Sequence, residues 1–173
     1  MPGCASAGHT CAIEEEHAAE ERELDDERWS SNTDTEVVLR AYRQWGIDAF
    51  PKLRGMFALA IWDDQKQALF LARDPLGIKP LYYHAGQSRF VFASELRSLL
   101  ASGLVPRALS QNGLGSYLAN GSVEAPLTII DGIKQLLPGH CLQVKANEAG
   151  NIELRDIEFA IPKDKSIDGN RDD

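Results

Sequence analysis

The chain lacks the features that most directly indicate a membrane protein or a nucleic-acid-binding protein. Its 173 residues contain no apolar run approaching the roughly 20 residues that a membrane span requires. Its 18 Lys and Arg residues form no basic cluster, and the formal net charge is -8. Because a polyanionic backbone is held by positive patches, we expect neither a membrane nor a nucleic acid among the partners.

Cysteine is also scarce, with only Cys4, Cys11 and Cys141 in the chain. An odd number of cysteines does not provide the paired disulfide framework that is typical of small secreted domains. The first residues lack the basic start and apolar core of a secretory signal. We therefore predict a cytoplasmic protein, and the sequence predicts no metal site.

The negative charge is concentrated near the start of the chain. Between Glu14 and Arg28 there are nine acidic residues and two basic ones, a composition too polar to bury a core. The whole chain is 43% hydrophobic and 25% charged, as in ordinary globular proteins. This distribution predicts an acidic, disordered head over residues 1–30, a packed domain over 31–160 and a flexible tail over 161–173.

A helix is predicted immediately after the acidic head. Thr33, followed three residues later by Glu36, is typical of a capping box. Gly46 stands where a left-handed residue commonly ends a helix. The spacing predicts a helix over 34–45, and its apolar stripe consists of Val38, Ala41, Tyr42 and Trp45.

Apolar runs of strand length alternate with turn residues from position 55 onward. Four runs are predicted to form one antiparallel meander: 55–62, 68–73, 80–84 and 89–93. Ser94 and Ser110 are each predicted to cap a short helix, over 95–101 and up to Asn120 respectively. Three late strands are predicted at 132–135, 140–145 and 152–157. This combination predicts an α+β fold in which sheets pack together and helices cover the outside.

Five blocks of sequence carry a resemblance to a known family. They occur in the order Thr33 to Val37, Gly55 to Ala58, Ala72 to Tyr83, Phe92 to Leu96 and Gly132 to Gly139. Together they resemble the class II glutamine amidotransferase domain, and specifically that of glutamine-hydrolysing asparagine synthetases. The similarity covers about residues 31–159.

The resemblance implies a fold and a reaction. The fold is that of the N-terminal-nucleophile hydrolases, an αββα four-layer sandwich of antiparallel sheets, of which this chain would hold an incomplete version. In that family a cysteine at the start of the mature chain attacks the side-chain amide of glutamine, with its own α-amino group as the base. The ammonia then passes to a second domain that amidates aspartate. ATP and magnesium belong to that second domain, so no cofactor is expected in this chain.

Parts of the family's machinery have no counterpart in the sequence. Removal of methionine from Met1-Pro2-Gly3-Cys4 would expose a proline, and no Asn-Gly-Glu segment for an oxyanion hole precedes Thr33. The Ser-Gly-Gly phosphate loop of the synthetase domain is absent as well. We therefore expect a truncated domain with no catalytic residue, no glutaminase or synthetase activity and at most weak glutamine binding.

The resemblance assigns a role to Asp34, and turn chemistry suggests one for four further residues. Asp34 corresponds to the aspartate that binds the ammonium group of substrate glutamine through a charge-assisted hydrogen bond. The alternative is that an acid in the first helical turn only complements the helix dipole. Arg73, Asp74, Gly77 and Lys79 are interpreted as a structural motif, in which the Arg-Asp pair fixes a turn and the lysine makes a surface or interdomain contact.

The cysteines are not predicted to replace the missing nucleophile. Cys4 and Cys11 lie in the acidic head, without a positioned base or oxyanion donors. Cys141 is predicted to be a small buried hydrophobe. The neighbouring His140 would point to the opposite face of the same strand, so the two cannot form a catalytic pair.

These observations lead to three hypotheses. The first is a partial glutamine amidotransferase domain of an asparagine-synthetase-like protein. The second is a non-catalytic module that docks on a separate synthetase or amidotransferase subunit, with a synthetase domain or a second copy of the chain as its partner. The third is the product of a disrupted gene, without function. Sheet edges left by missing strands would also predict low stability or self-association.

Overall fold

The computed structural model describes residues 33–159 together with the backbone of Ser6–Gly8. Its helices are α1 (Asp34–Trp45), α2 (Leu96–Ala101) and α3 (Gln111–Asn120), with a 3-10 helix at Gly46–Lys52. Its strands are β1 (Ser6–Gly8), β2 (Ala58–Asp63), β3 (Ala68–Arg73), β4 (Tyr82–Ala85), β5 (Phe90–Ala93), β6 (Ile133–Gln135), β7 (His140–Ala146) and β8 (Ile152–Glu158).

Helix α1 has the bounds that the sequence predicts. Val38, Ala41 and Tyr42 are buried, and Trp45 at the end of the stripe is partly buried. The helix ends at Gly46, which has a φ of +61° and donates its N–H to the carbonyl of Tyr42. The apolar stripe therefore sets the orientation of the helix toward the core.

The predicted capping box at the start of α1 is not formed. The side chain of Thr33 makes no capping hydrogen bond. The carboxylate of Glu36 accepts hydrogen bonds from the Arg40 guanidinium, one turn further along the helix, at 2.8 and 3.0 Å. An ion pair at i, i+4 thus takes the carboxylate that the capping box would have used.

The strands form two separate antiparallel sheets. The larger has the order β1-β2-β3-β7-β8 and the smaller the order β5-β4-β6. The predicted four-strand meander is therefore wrong, because β2–β3 and β4–β5 are hairpins in different sheets. The edge of β3 pairs instead with β7, which places Leu71 opposite Leu142. The three late strands are confirmed, with β6 in one sheet and β7 and β8 in the other.

The alternation of side chains on the larger sheet produces a layered core. Leu59 packs with Tyr42 of α1 on one face. Ala60, its neighbour in the strand, packs with Leu81 on the face that meets the smaller sheet. Leu99 of α2 packs on the outer face of the smaller sheet. The order helix, sheet, sheet, helix confirms the αββα sandwich, and neither sheet closes on itself.

The two short helices begin differently. Ser110 caps α3 as predicted, since its Oγ accepts the N–H of Gly113 at 3.0 Å. Ser94 does not cap α2, because that helix begins one residue later than predicted and Glu95 occupies the N-cap position without a side-chain capping hydrogen bond. Gly113 is the buried residue of α3, and a Cβ placed there would overlap the carbonyl oxygen of Thr128.

Part of the predicted domain organisation lies outside the described residues. Strand β1 falls within residues 1–30, and it pairs with β2 so that Ser6 lies opposite Trp62. The rest of the predicted head, including Cys4 and Cys11, and the predicted tail over 161–173 are not among the described residues. In the described part of the chain, no helix is both long enough and apolar enough to cross a membrane.

Candidate functional site

Asp34 is the first residue of α1, and its side chain is half-buried. The N-terminal position places the carboxylate beside the backbone N–H groups that have no partner within the helix. The packing of Val38 and Tyr42 onto the larger sheet holds this end of the helix in a defined position. A carboxylate held in this way can accept hydrogen bonds from a small cationic group. Its role toward glutamine stays a prediction from the resemblance.

Arg73 lies at the end of β3, and its buried guanidinium binds three backbone carbonyls. Nε donates to the carbonyl of Lys79 at 2.8 Å, Nη1 to that of Leu136 at 2.6 Å, and Nη2 to that of Gly77. Burial lowers the pKa of this guanidinium, and the neighbouring negative charge of Asp74 opposes that effect. The side chain therefore joins the segment after β3 to the segment after β6.

Asp74 is almost fully buried and organises the loop that follows it. One carboxylate oxygen accepts the N–H of Leu76 at 3.1 Å and that of Ile78 at 3.0 Å. The other accepts the N–H of Lys79 at 3.0 Å. Gly77 has a φ of +64° and lies against Arg73 and Pro138, which leaves no room for a side chain. We call residues 75–79 the Pro75–Lys79 loop.

The Pro75–Lys79 loop presents apolar side chains to solvent. Leu76 is 81% exposed and Ile78 is 53% exposed. Met56, in the segment before β2, is also exposed. Lys79 is half-buried and engages the motif through its backbone, since its N–H bonds to Asp74 and its carbonyl to Arg73. A rigid loop that exposes two large aliphatic side chains is a candidate contact surface.

A cleft of about 280 Å³ opens between the two sheets. Ser94 is the one lining residue with a polar side chain, and the lining residues are Ala58, Leu59, Ala60, Leu81, Phe92, Ala93 and Ser94. The small side chains of Ala58 and Ala60 on β2 leave this space opposite Phe92 of the smaller sheet. Asp34 does not line the cleft, so the structure does not bring that carboxylate and this cavity together.

Cys141 is confirmed as a buried hydrophobe. It is 1% exposed and packs with Phe70 and Tyr42 beneath α1. Burial raises the pKa of its thiol to about 12, with a smaller contribution from the charge of Asp156. His140, the preceding residue, bonds through Nδ1 to a carboxylate oxygen of Asp156 at 2.8 Å. The thiol is therefore neutral at physiological pH and has no access to a substrate.

A polar cluster below α1 was not anticipated from the sequence. The hydroxyl of Tyr42 donates to Asp63 at 2.8 Å, and Lys66 Nζ lies 3.0 Å from the same carboxylate oxygen. Burial alone would favour the neutral acid, but the Lys66 backbone N–H, the Tyr42 hydroxyl and the Lys66 charge outweigh it and lower the pKa of Asp63. Burial and the hydrogen bond to Asp63 raise the pKa of Tyr42. This cluster closes the β2–β3 turn and is structural.

Other contacts had no local sequence signal either. Arg73 reaches Leu136, which is 63 residues away in the chain, and spacing arguments do not reveal such a contact. Glycine inside α3 was the one available hint of the close approach between Gly113 and Thr128. Among the described residues no group of three or more His, Cys, Asp or Glu side chains could hold a metal ion.

Comparison with protein families identifies a match along most of the chain. Residues 15–153 match the family described as "Glutamine amidotransferase domain". Asparagine synthetase [glutamine-hydrolyzing] 3 of Bacillus subtilis is 38% identical over 66% of this chain and 19% of its own length. Amidase chry2 of Gibberella zeae is 35% identical over 72% of this chain and 18% of its own length. The chain thus spans about a fifth of the length of these relatives.

A solved structure shares the fold. Glutamine phosphoribosylpyrophosphate amidotransferase from Bacillus subtilis superposes with a TM-score of 0.52 at 19% sequence identity. The superposition covers 79% of this chain and 24% of that one. At this level of identity the likeness concerns the arrangement of sheets and helices, and it agrees with the αββα layers described above.

Proposed function

Because the chain belongs to the glutamine amidotransferase domain family, we propose that residues 33–159 form the glutamine-binding scaffold of such a domain, similar to the N-terminal part of asparagine synthetases. We further propose that the chain alone releases no ammonia from glutamine. The observation that carries this second point is the burial of Cys141, the cysteine of the described residues, with its pKa raised to about 12. Amide hydrolysis by a thiol requires a thiolate that reaches the substrate carbonyl.

Asp34 is the group that we propose binds the ammonium of glutamine. Replacing it with asparagine keeps the shape of the side chain but removes the charge. Hydrogen bonds to charged groups contribute about 1.5–3 kcal/mol, so Asp34→Asn is expected to weaken glutamine binding by about tenfold or more. Titration of the purified chain with glutamine, followed by NMR, measures the dissociation constant.

Asp48→Asn is the matched control for this titration. Asp48 is an exposed acid in the adjacent 3-10 helix, and the control should bind glutamine as the unmodified chain does. Equal affinities of the Asp34→Asn variant and the control would contradict the role of Asp34 and leave its carboxylate as a partner of the helix dipole alone.

The absence of glutaminase activity is tested by measuring ammonia. The purified chain is incubated with glutamine, and ammonia release is expected to equal that of the Cys141→Ala variant, at the background level. Release above background that disappears in a Cys4→Ala or a Cys11→Ala variant would contradict the proposal, because it would show that the chain carries its own attacking thiol.

A second function, docking on a synthetase, is favoured by the Pro75–Lys79 loop. Arg73 and Asp74 hold this loop rigid while Leu76 and Ile78 remain exposed. Preorganised apolar side chains lose little conformational entropy on binding, which suits them to an interface. The relatives are about five times longer than the matched region. The remainder of such a protein needs a surface on this domain to pack against.

Co-purification tests the docking function. A tagged chain is expressed in its source cells, and asparagine synthetase in the purified fraction is quantified by mass spectrometry. With the double variant Leu76→Ser and Ile78→Ser, the amount of co-purified synthetase is expected to fall by at least nine-tenths. This corresponds to a loss of about 1.4 kcal/mol of binding free energy. Leu154→Ser, which changes an exposed leucine on β8, should retain the synthetase. Equal recovery with both variants would contradict docking through this loop.

A further inference from the structure

One edge of strand β5 has no partner strand in the described part of the chain. In the β4–β5 hairpin, Gly86 donates its N–H to the carbonyl of Arg89 at 2.8 Å, and the pairing continues without a break through β5. Because hydrogen-bonded positions alternate along an antiparallel pair, the N–H and C=O groups of Phe90 and Phe92 point away from β4. No described group is hydrogen-bonded to the backbone of either phenylalanine. The edge therefore has two unpaired donors and two unpaired acceptors.

Two other strand edges of the described sheets are protected. The free edge of β6 is covered, because Gln135 donates its N–H to the carbonyl of Pro126 and the Thr128 hydroxyl donates to the carbonyl of Ile133, both at 2.9 Å. Strand β8 has four charged residues among its seven, and charge on an edge strand opposes pairing with a further strand. Strand β5 contains no charged residue, so it has neither form of protection.

Small and exposed apolar side chains lie beside the open edge. The cleft between the sheets is bounded by Phe92 of β5 and by Ala58 and Ala60 of β2. Trp62 alternates with these alanines along β2, so it lies on the same face, and it is 39% exposed. The smaller sheet, with three strands against five, therefore does not cover β2 completely. A strand added beside β5 would cover this part of β2 with every second side chain of its own.

The space beside β5 fits a single strand better than a second copy of the chain. Strand β1 pairs with β2 and extends the larger sheet beyond it. A second copy that paired through its own β5 would bring its five-stranded sheet into the layer that β1 already occupies. An isolated extended segment brings no second layer with it.

Opposite charges lie at the two ends of the open edge. Exposed Arg89 precedes β5, and exposed Glu95 follows it. A strand antiparallel to β5 begins beside Glu95 and ends beside Arg89. A basic residue at its start and an acidic residue at its end therefore complement the edge, whereas the reverse order places like charges side by side.

From these observations we propose that the edge of β5 binds an extended segment of another protein, which joins the smaller sheet as an antiparallel strand. Its backbone pairs with that of Phe90 and Phe92. Its side chains toward the larger sheet are aliphatic and cover the cleft, and its first and last residues are basic and acidic. In strand addition of this kind, main-chain hydrogen bonds provide affinity and the pockets for alternate side chains provide specificity. The site is separate from the Pro75–Lys79 loop.

A designed peptide tests the site. Acetylated and amidated Lys-Val-Thr-Val-Thr-Val-Glu turns its three valines toward the larger sheet when its charged ends lie beside Glu95 and Arg89. It is titrated into the isotope-labelled full chain, and NMR signals are followed. The amide hydrogens of Phe90 and Phe92 are expected to exchange quickly with solvent in the free chain and at least about tenfold more slowly with bound peptide. Slow exchange in the free chain would overturn the proposal, because the edge would already be covered.

Methylated peptides distinguish strand pairing from unspecific apolar contact. N-methylation of the central valine removes a donor that points at β5, and it is expected to weaken binding at least about tenfold. N-methylation of a threonine, whose N–H points away from β5, should change the affinity less than about twofold. Exchange of the terminal lysine and glutamate should weaken binding about threefold. Equal affinities of the two methylated peptides would overturn strand pairing, and indifference to the charge exchange would overturn the antiparallel direction.

Two variants of the chain complete the test. Phe92→Lys places a charge on the open edge and is expected to weaken peptide binding at least about tenfold. Leu154→Lys is the matched control, because Leu154 is 41% exposed on edge strand β8 and Phe92 is 40% exposed, and it should bind normally. Failure of the unmodified chain to bind the peptide would overturn the proposal. So would a dimer in analytical ultracentrifugation that Phe92→Lys dissociates, since the occupant would then be a second copy. Unchanged melting temperatures show that the variants remain folded.

Discussion

Replacing Asp74 with alanine is expected to lower the free energy of unfolding by about 3–5 kcal/mol, the typical cost of removing one partner from a buried charged network. The substitution leaves the N–H groups of Leu76, Ile78 and Lys79 without their acceptor. It also leaves the buried guanidinium of Arg73 without the adjacent negative charge that opposes the lowering of its pKa by burial. Urea unfolding followed by circular dichroism measures the change.

Asp64→Ala is the control for this substitution. Asp64 is an exposed acid in the turn between β2 and β3, and it accepts a hydrogen bond from the side chain of Gln67 at 3.0 Å. Its removal should change the free energy of unfolding by no more than about 0.5 kcal/mol. If Asp74→Ala were equally mild, the Pro75–Lys79 loop would not depend on the carboxylate, and the argument for a rigid loop would fail.

Two substitutions in α3 are expected to have opposite signs. Glycine to alanine in a helix normally stabilises it by about 0.5–1 kcal/mol. At Gly113 the new Cβ would overlap the Thr128 carbonyl oxygen and lie 2.9 Å from its carbon. Because both atoms belong to the backbone, the helix has to move, and Gly113→Ala is expected to destabilise the chain by about 2–3 kcal/mol.

Gly115→Ala provides the comparison within the same helix. A Cβ at Gly115 meets no atom within 4 Å, so only the helix propensity acts and the variant should be slightly more stable than the unmodified chain. Thermal unfolding of the two variants measures both effects. Stabilisation by Gly113→Ala would show that α3 is not held against residues 128 and 129.

Local patterns predicted the elements of the fold better than their partners. The apolar stripe and Gly46 determined α1 to the residue, because both act within a few turns of the helix. The meander was wrong because an apolar run indicates burial and not which strand lies beside it. The chain leaves the larger sheet after β3, next to Arg73, and returns to it at β7, which pairs with β3. The hydrogen bond from Arg73 that holds this crossing goes to Leu136, far along the chain.

In the candidate site, too, features with a local sequence signal were predicted and features that depend on distant residues were not. Asp34 and the Arg73–Asp74 motif could be identified from the resemblance, since their neighbours in sequence carry the pattern. The cleft between the sheets could not be predicted from the sequence, because it forms where small side chains on β2 face Phe92 of the other sheet. The cluster of Tyr42, Asp63 and Lys66 likewise joins a helix to a turn, and no short motif records it.

The two hydrogen bonds that Arg73 and Asp74 make to the segment after β6 affect how the molecule unfolds. Between residues 33 and 159 the chain passes from one sheet to the other twice, after β3 and after β6. Hydrogen bonds at Arg73 and Asp74 join the two passages: Arg73 binds the carbonyl of Leu136, and the carbonyl of Asp74 accepts the N–H of Gly139. Release of either passage breaks both of these hydrogen bonds. The two sheets should therefore lose their order together, as one cooperative unit, although the strands of each are paired only among themselves.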